Sequence, residues 1–232
     1  MTGLASTDAF AFERERLAAE IAAMARETGP ETSRPRFADA VMAAMQKVPR
    51  HRFVPSGDEP FAYENRPLPI GEGQTISQPY IVALMTELLD PRAGQVVLEV
   101  GTGSGYQTAV LAEIVARVYT LEVVEPLARR ASLLLGELGY ANVAARTGDG
   151  YEGWPEHAPF DSVVVTAAAP DVPRPLVDQL KPGGRLVIPV GGAGDVQQLL
   201  VVDKLDDRAT ARRRTLPVRF VPLVRARGKI AP

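Results

Sequence analysis

The sequence contains no cysteine, a single tryptophan and only two histidines. Without cysteine there can be no disulfide framework, no thiolate nucleophile and no Cys-ligated metal. No apolar run approaches the ~18 residues that a membrane span needs. A strong charge of either sign is also missing. The 26 Lys and Arg against 28 Asp and Glu leave a net charge of −2, too little to draw the whole molecule to nucleic acid or an anionic membrane. The N-terminal MTGLASTDAFAFERERL has no basic segment followed by a long apolar stretch, so it does not read as a secretory leader. These absences point to a cytoplasmic protein with no metal, membrane or nucleic-acid partner.

What is present suits a globular chain with a real core: 232 residues, 46% hydrophobic and 23% charged. The length predicts a monomeric single domain over 1–232. Residues 1–90 read as a helical cap and covering segment, and residues 91–232 as a Rossmann-like core. In the cap, Leu17, Ile21 and Met24 share one helical face, as do Phe37, Val41, Met45 and Val48 before Pro49. Pro, Gly and Asn punctuate Arg50 to Thr75, which predicts loop. A third helix is predicted from Pro79, with Ile81, Met85, Leu88 and Leu89 as its buried face.

From Gln95 the pattern changes. Val96 to Val100 is a short, nearly continuous apolar run, as expected of a strand buried on both faces. Strand and helix then alternate: strands at Val118–Leu121, Val143–Thr147, Ser162–Thr166 and Gly184–Val190, helices around Leu127–Leu138 and Pro175–Leu180. This alternation predicts an α/β fold with a doubly wound, mostly parallel sheet. Gln197–Val202 and Val218–Val224 read as two antiparallel edge strands joined by a charged loop, with Arg212 to Arg214 in a solvated turn.

The segment Glu99-Val100-Gly101-Thr102-Gly103-Ser104-Gly105-Tyr106 ends the first buried strand and opens a helix. Ligands of open parallel sheets bind at such strand ends. The glycines run G-x-G-x-G, and not in the G-x-G-x-x-G pattern that cradles a pyrophosphate. A carboxylate at Glu99 would repel a pyrophosphate and attract a cation. S-adenosylmethionine carries an ammonium and a sulfonium and has no phosphate, so it is the expected cofactor, contacted by Gly101, Thr102, Gly103 and Gly105. Glu122, 21 residues after Gly101, can accept from both ribose hydroxyls. Asp149, between Gly148 and Gly150, can accept from an adenine amino group, with Gly150 letting the ring lie on the backbone. For Glu99 and Asp149 the plainer alternative is a helix cap, and Glu125 could take the part of Glu122.

Beyond this loop the chain resembles the protein-L-isoaspartate O-methyltransferases, from about Val48 to Leu223. The resemblance rests on VPRHRFVP (48–55), AYEN (62–65), GEGQTISQP (71–79), the glycine loop, GDG (148–150), AAAP (167–170), LKPGGRL (180–186) and RFVPL (219–223). It implies methyl transfer from S-adenosylmethionine to the free carboxyl of L-isoaspartyl residues in damaged proteins. The ester then closes to a succinimide without the enzyme. It further implies that Thr75, Ile76, Ser77 and Gln78 lie over the cofactor, with Ser77 as the active-site serine. Ile76, Ser77, Ala167, Ala168, Ala169, Pro170 and Val221 would line the peptide groove. The N-terminal ~30 residues, the 206–214 loop and the residues after Leu223 follow no pattern of that family.

The chemistry agrees with what is missing. A carboxylate is ionised at pH 7 and needs no general base, so His51 and His157 are expected to be structural. Ser77 could orient the acceptor carboxylate, or simply cap the helix at Pro79. Two rival functions remain open at this stage: a methyltransferase acting on RNA or a small molecule, and an inactive module that only binds S-adenosylmethionine. Thr166-Ala167-Ala168-Ala169-Pro170 lacks the polar head that would hold an exocyclic amine, which counts against an RNA base.

Overall fold

The computed structural model describes residues 9–192, 194–206 and 209–226. Residues 1–8 of the leader reading, 207–208 of the charged loop and 227–232 lie outside the described residues.

The first elements are helical. α1 (Ala11–Glu27) buries Leu17, Ala18, Ile21 and Ala25. α2 (Gly29–Thr32) is a single turn, and α3 (Asp39–Lys47) buries Val41, Ala44 and Met45. The stretch read as loop contains a short antiparallel hairpin, β1 (Leu68–Gly71) and β2 (Gln74–Ile76). Its two-residue turn, Glu72-Gly73, has positive φ at both positions (54° and 69°), the conformation that favours tight hairpins. Leu68 and Ile70 face inward, with exposed residues between and after them. α4 (Pro79–Leu88) is buried almost all round, not on one face, because α1, α3 and α5 (Tyr106–Ala112) all pack on it.

The remaining elements are β3 (Val96–Val100), β4 (Arg117–Glu122), α6 (Glu125–Glu137), β5 (Val143–Thr147), β6 (Phe160–Val165), α7 (Arg174–Asp178), β7 (Leu180–Val190), β8 (Gln197–Lys204) and β9 (Thr210–Val218). They build one seven-stranded sheet in the order β5-β4-β3-β6-β7-β8-β9. β3 to β7 pair in parallel; β8 and β9 are antiparallel additions at one edge. Val97, Leu98, Val163 and Val164 are fully buried at the sheet centre. Each contributes roughly 1.5–3 kcal/mol of burial, which is why the central strands need no polar alternation. The strand order reverses between β3 and β6, which fixes where a ligand crevice opens.

The last strand is not where the sequence pattern placed it. β9 spans Thr210–Val218, and Val218–Val224 is not a strand. Arg212 to Arg214 lie within β9 and not in a turn. The strand is amphipathic, with Thr215 and Val218 buried, Arg212 and Arg214 exposed and Arg213 half-buried. Charge on an outermost strand blocks edge-to-edge pairing. After Val218 the chain leaves the sheet and crosses the carboxyl ends of the strands, tied by Phe220 N donating to Gln197 Oε1 at 2.8 Å.

Candidate active site

The loops that follow β3, β4 and β6 are laced together at the reversal point. Gly101 and Gly103 have φ of +99° and +54°, a backbone that side-chain-bearing residues rarely adopt. The amides of Gly101 and Thr102 donate to Leu121 O at 2.8 and 3.1 Å. The Glu122 carboxylate accepts from Gly103 N at 2.8 Å and from Val124 N at 3.0 Å. Thr166 Oγ1 donates to Gly101 O at 2.6 Å. A Cβ on Gly101 would come within 2.4 Å of that hydroxyl, so the close approach itself requires glycine.

A cleft opens over these loops. Of the residues singled out in the sequence, Thr75, Ile76, Ser77, Gly101, Thr102, Gly103, Glu122, Gly150, Ala167 and Val221 line it. Gln78, Glu99, Gly105, Asp149, Ala168, Ala169 and Pro170 do not. Gly105 (φ +89°) instead packs toward Ala131 and Leu135 of α6. Asp149 is turned to its own loop and to the C-terminal segment: Oδ1 accepts from Tyr151 N at 3.0 Å, and Oδ2 lies 3.9 Å from Arg225 Nη1. Ala168 works through its backbone, donating to Val221 O at 2.8 Å and accepting from Leu223 N at 2.7 Å. Ala169 N donates to Pro189 O at 3.1 Å, and Pro170 is exposed.

Glu99 is fully buried beneath the glycine loop. One carboxyl oxygen, Oε2, accepts from Thr108 Oγ1 at 2.5 Å and from Thr120 Oγ1 at 2.8 Å. The other, Oε1, has no hydrogen-bond partner among the described residues. Burial pushes its pKa up to about 8, despite the two hydroxyl donors. These partners are side chains, so Glu99 is not a helix cap.

Ser77 is not one either. The N-cap of α4 is Gln78, which makes no side-chain cap bond. Asn65 Oδ1, from the loop before the hairpin, accepts from Tyr80 N at 3.0 Å and serves the first turn in its place. Ser77 is half-buried and lines both the cleft and a second groove beside it. Its carbonyl is held by Arg50 Nη2 at 2.8 Å. Thr75, Thr166 and Val221 also line both spaces, so one wall separates them.

The family model for Protein-L-isoaspartate(D-aspartate) O-methyltransferase (PCMT) matches residues 31–228. The chain belongs to this family. It is 60% identical over 204 residues to Protein-L-isoaspartate O-methyltransferase 2 of Polaromonas sp., covering 88% of this chain and 97% of that protein. It is 57% identical to Protein-L-isoaspartate O-methyltransferase 1 of Cupriavidus necator, covering 95% of this chain and 85% of that one. A solved protein-L-isoaspartate O-methyltransferase superposes with a TM-score of 0.78 at 29% identity, over 90% of this chain and 65% of that one. A Plasmodium falciparum structure described as a putative member, in complex with S-adenosyl-L-homocysteine, gives 0.73 at 25% identity over 92% and 97%. The chain is therefore an S-adenosylmethionine-dependent carboxyl methyltransferase of isoaspartyl residues.

The PCMT cleft suits that cofactor on its own chemistry. Among the described residues, Glu122 is the only carboxylate on its lining, and no Lys, Arg or His stands there to meet a pyrophosphate. Sequence reasoning passed over three contributors. Thr166 ends a central strand at the reversal point, which could have marked it. Tyr106 is buried under the cleft, and its position directly after the last loop glycine is its only sequence signal. Arg50 lies in the VPRHRFVP segment that carries the resemblance, but a single arginine in a loop has no periodicity to show that it reaches Ser77 and Tyr106.

Proposed function

We propose that the cleft holds S-adenosylmethionine with Glu122 accepting from the ribose hydroxyls and the Gly101–Gly103 backbone against the amino-acid end. A carboxylate offers about four acceptor positions, so two backbone donors leave Glu122 room for ribose. Leu121, Gly148 and Gly150 flank the space assigned to the adenine. Glu99 acts from beneath the loop as a buried counter-charge, its unpartnered oxygen answering a positive ligand. Gln78 and Asp149 support the walls without touching the ligand: Gln78 as the N-cap of α4, Asp149 by holding the C-terminal segment.

When bound, the cofactor supplies a sulfonium methyl group to a carboxylate oxygen. The residues of this chain position the two reactants in line and keep water out, a gain of up to ~7–11 kcal/mol for well-oriented groups. Ser77 Oγ donates to the acceptor carboxylate and orients it at the wall shared by cleft and groove. Ile76, Ala167 and Val221 close that wall. No proton must be removed from the acceptor. His51 and His157 stand outside the cleft, His51 Nδ1 2.9 Å from Tyr63 Oη and His157 stacked on Tyr119 at 4.2 Å.

The observation that carries this reading is the shared wall of Thr75, Ser77, Thr166 and Val221 between the cleft over the glycine loop and the groove beside it. Residues 1–90 serve as cap and cover for a single domain, and the protein acts as a cytoplasmic monomer without nucleic-acid or membrane partners. No helix among the described residues is long and apolar enough to cross a membrane. The decisive assay gives the purified chain methyl-labelled S-adenosylmethionine with a matched isoaspartyl and aspartyl peptide pair, and separately with tRNA. Label on the isoaspartyl peptide alone is the expected result. Label on tRNA, or cofactor binding without any transfer, would refute it.

A further inference from the structure

We propose that Arg219 selects isoaspartyl substrates that carry a second carboxylate close to the damaged residue. This rests on the reading above, in which the groove beside Ser77 receives the substrate chain. The groove is lined by apolar side chains such as Ile81, Val196 and Phe220, together with uncharged polar ones. Among the described residues, Arg219 is the single ionisable one on that lining.

Three other arginines of the C-terminal half are engaged. Arg185 pairs with Asp203 at 2.5 Å, Arg212 with Asp171 at 3.8 Å and Arg225 with Asp149 at 3.9 Å. Arg219 is exposed, and its guanidinium makes no ion pair or hydrogen bond with any described residue. A solvated guanidinium beside an apolar wall costs the free protein little. It gains a partner when a bound chain brings an anion to the same wall, where neighbouring apolar surface lowers the local dielectric.

On this proposal the acceptor carboxylate is assigned to Ser77 and a different anion to Arg219. To meet the methyl group the acceptor must reach the wall shared with the cleft, and Arg219 lines only the groove. The guanidinium is therefore left for a different carboxylate of the same substrate, such as an Asp or Glu flanking the isoaspartyl residue. An acidic neighbour then raises capture, and a basic neighbour lowers it.

The test measures kcat/KM for three isoaspartyl peptides that differ only in one flanking residue: Glu, Gln or Lys. The wild-type chain should prefer Glu over Gln and Gln over Lys by about two- to fivefold per step, the range of a partly exposed ion pair. High salt should shrink the preference. Arg219→Gln should flatten the series, Arg219→Glu should invert it, and Arg219→Lys should keep its direction. Equal wild-type values for the three peptides would overturn the inference. So would an Arg219→Gln enzyme that loses the same factor on every peptide, since the guanidinium would then serve the acceptor or the fold. A wild-type chain that methylates none of them would instead overturn the site assignment itself.

Discussion

The buried guanidinium of Arg50 donates to the carbonyl of Ser77 and to the carbonyl of Ala62, each at 2.8 Å. It also lies 4.8 Å over the ring of Tyr106, the first residue of the helix that follows the glycine loop. One side chain thus ties Ser77, the loop before the hairpin and the floor of the cleft.

Replacing Arg50 should therefore be felt in stability and in geometry. Arg50→Met leaves two carbonyls without their charged donor, and charge-assisted bonds contribute ~1.5–3 kcal/mol each. A loss on the order of 3 kcal/mol in denaturant melts is expected. Arg50→Lys keeps the charge but not the planar fork. It should fold and show a kcat at least several-fold lower, because Ser77 is then less well placed. Full activity in Arg50→Lys would remove the positioning role.

Ser77→Ala separates chemistry from binding. Its hydroxyl makes no cap bond to α4, so the fold should hold. A hydrogen bond to a carboxylate is worth ~1.5–3 kcal/mol, so turnover should fall about ten- to a hundredfold. Cofactor affinity, read by calorimetry, should change by less than about twofold. Unchanged turnover would exclude Ser77 as the group that orients the acceptor.

Glu99 gives the protein a pH signature. Its pKa is raised from 4.5 to about 8, so between those values the folded protein holds a proton that the unfolded chain has lost. The contribution of this group to stability is complete below pH about 4.5 and declines as pH rises to about 8. Glu99→Gln should then melt higher than wild type in the unliganded state, with the gap widening as pH rises through that window. A positive ligand favours the ionised carboxylate, so S-adenosylmethionine should bind more tightly as pH approaches 8 and release protons on binding. In Glu99→Gln both the proton release and the pH dependence should vanish, with affinity lowered. Proton release that persists in the variant would show that another group is responsible.

Gly101→Ala probes the junction of the three loops. The added methyl would meet the Thr166 hydroxyl at 2.4 Å on a backbone with φ of +99°. A cost of ~2 kcal/mol corresponds to a fall of about 4–8 °C in Tm for a chain of this size. Cofactor affinity should drop with it, because Gly101 belongs to the cleft lining. A variant with wild-type Tm would mean that the loop yields easily at this point.

Much of the fold was legible because the central strands are continuous apolar runs and the helices between them are short and punctuated. Val143–Thr147 matches its strand to the residue, and the glycine loop stands where the sheet order turns. The hairpin was not legible, since Pro69, Gly71 and Gly73 read as loop punctuation, though the inward Leu68 and Ile70 alternate as a strand should. β9 was missed because three consecutive arginines suggest solvent, which is where an edge strand also points its side chains. Within the site, strand-end glycines and Glu122 could be placed from spacing. Glu99 and Asp149 could not be oriented from it, because whether a carboxylate faces a ligand or a neighbouring loop depends on partners that spacing does not reveal, Thr108 and Thr120 for one and Tyr151 and Arg225 for the other.

The segment from Val221 to Val224 forms one side of the cleft and is stitched to the backbone of Ala168. During synthesis all seven strands emerge before it does. A nascent chain halted after β9 would own a complete sheet and a cleft that lacks one of its sides. One side of the cleft is thus supplied by a piece of backbone that belongs to no strand or helix.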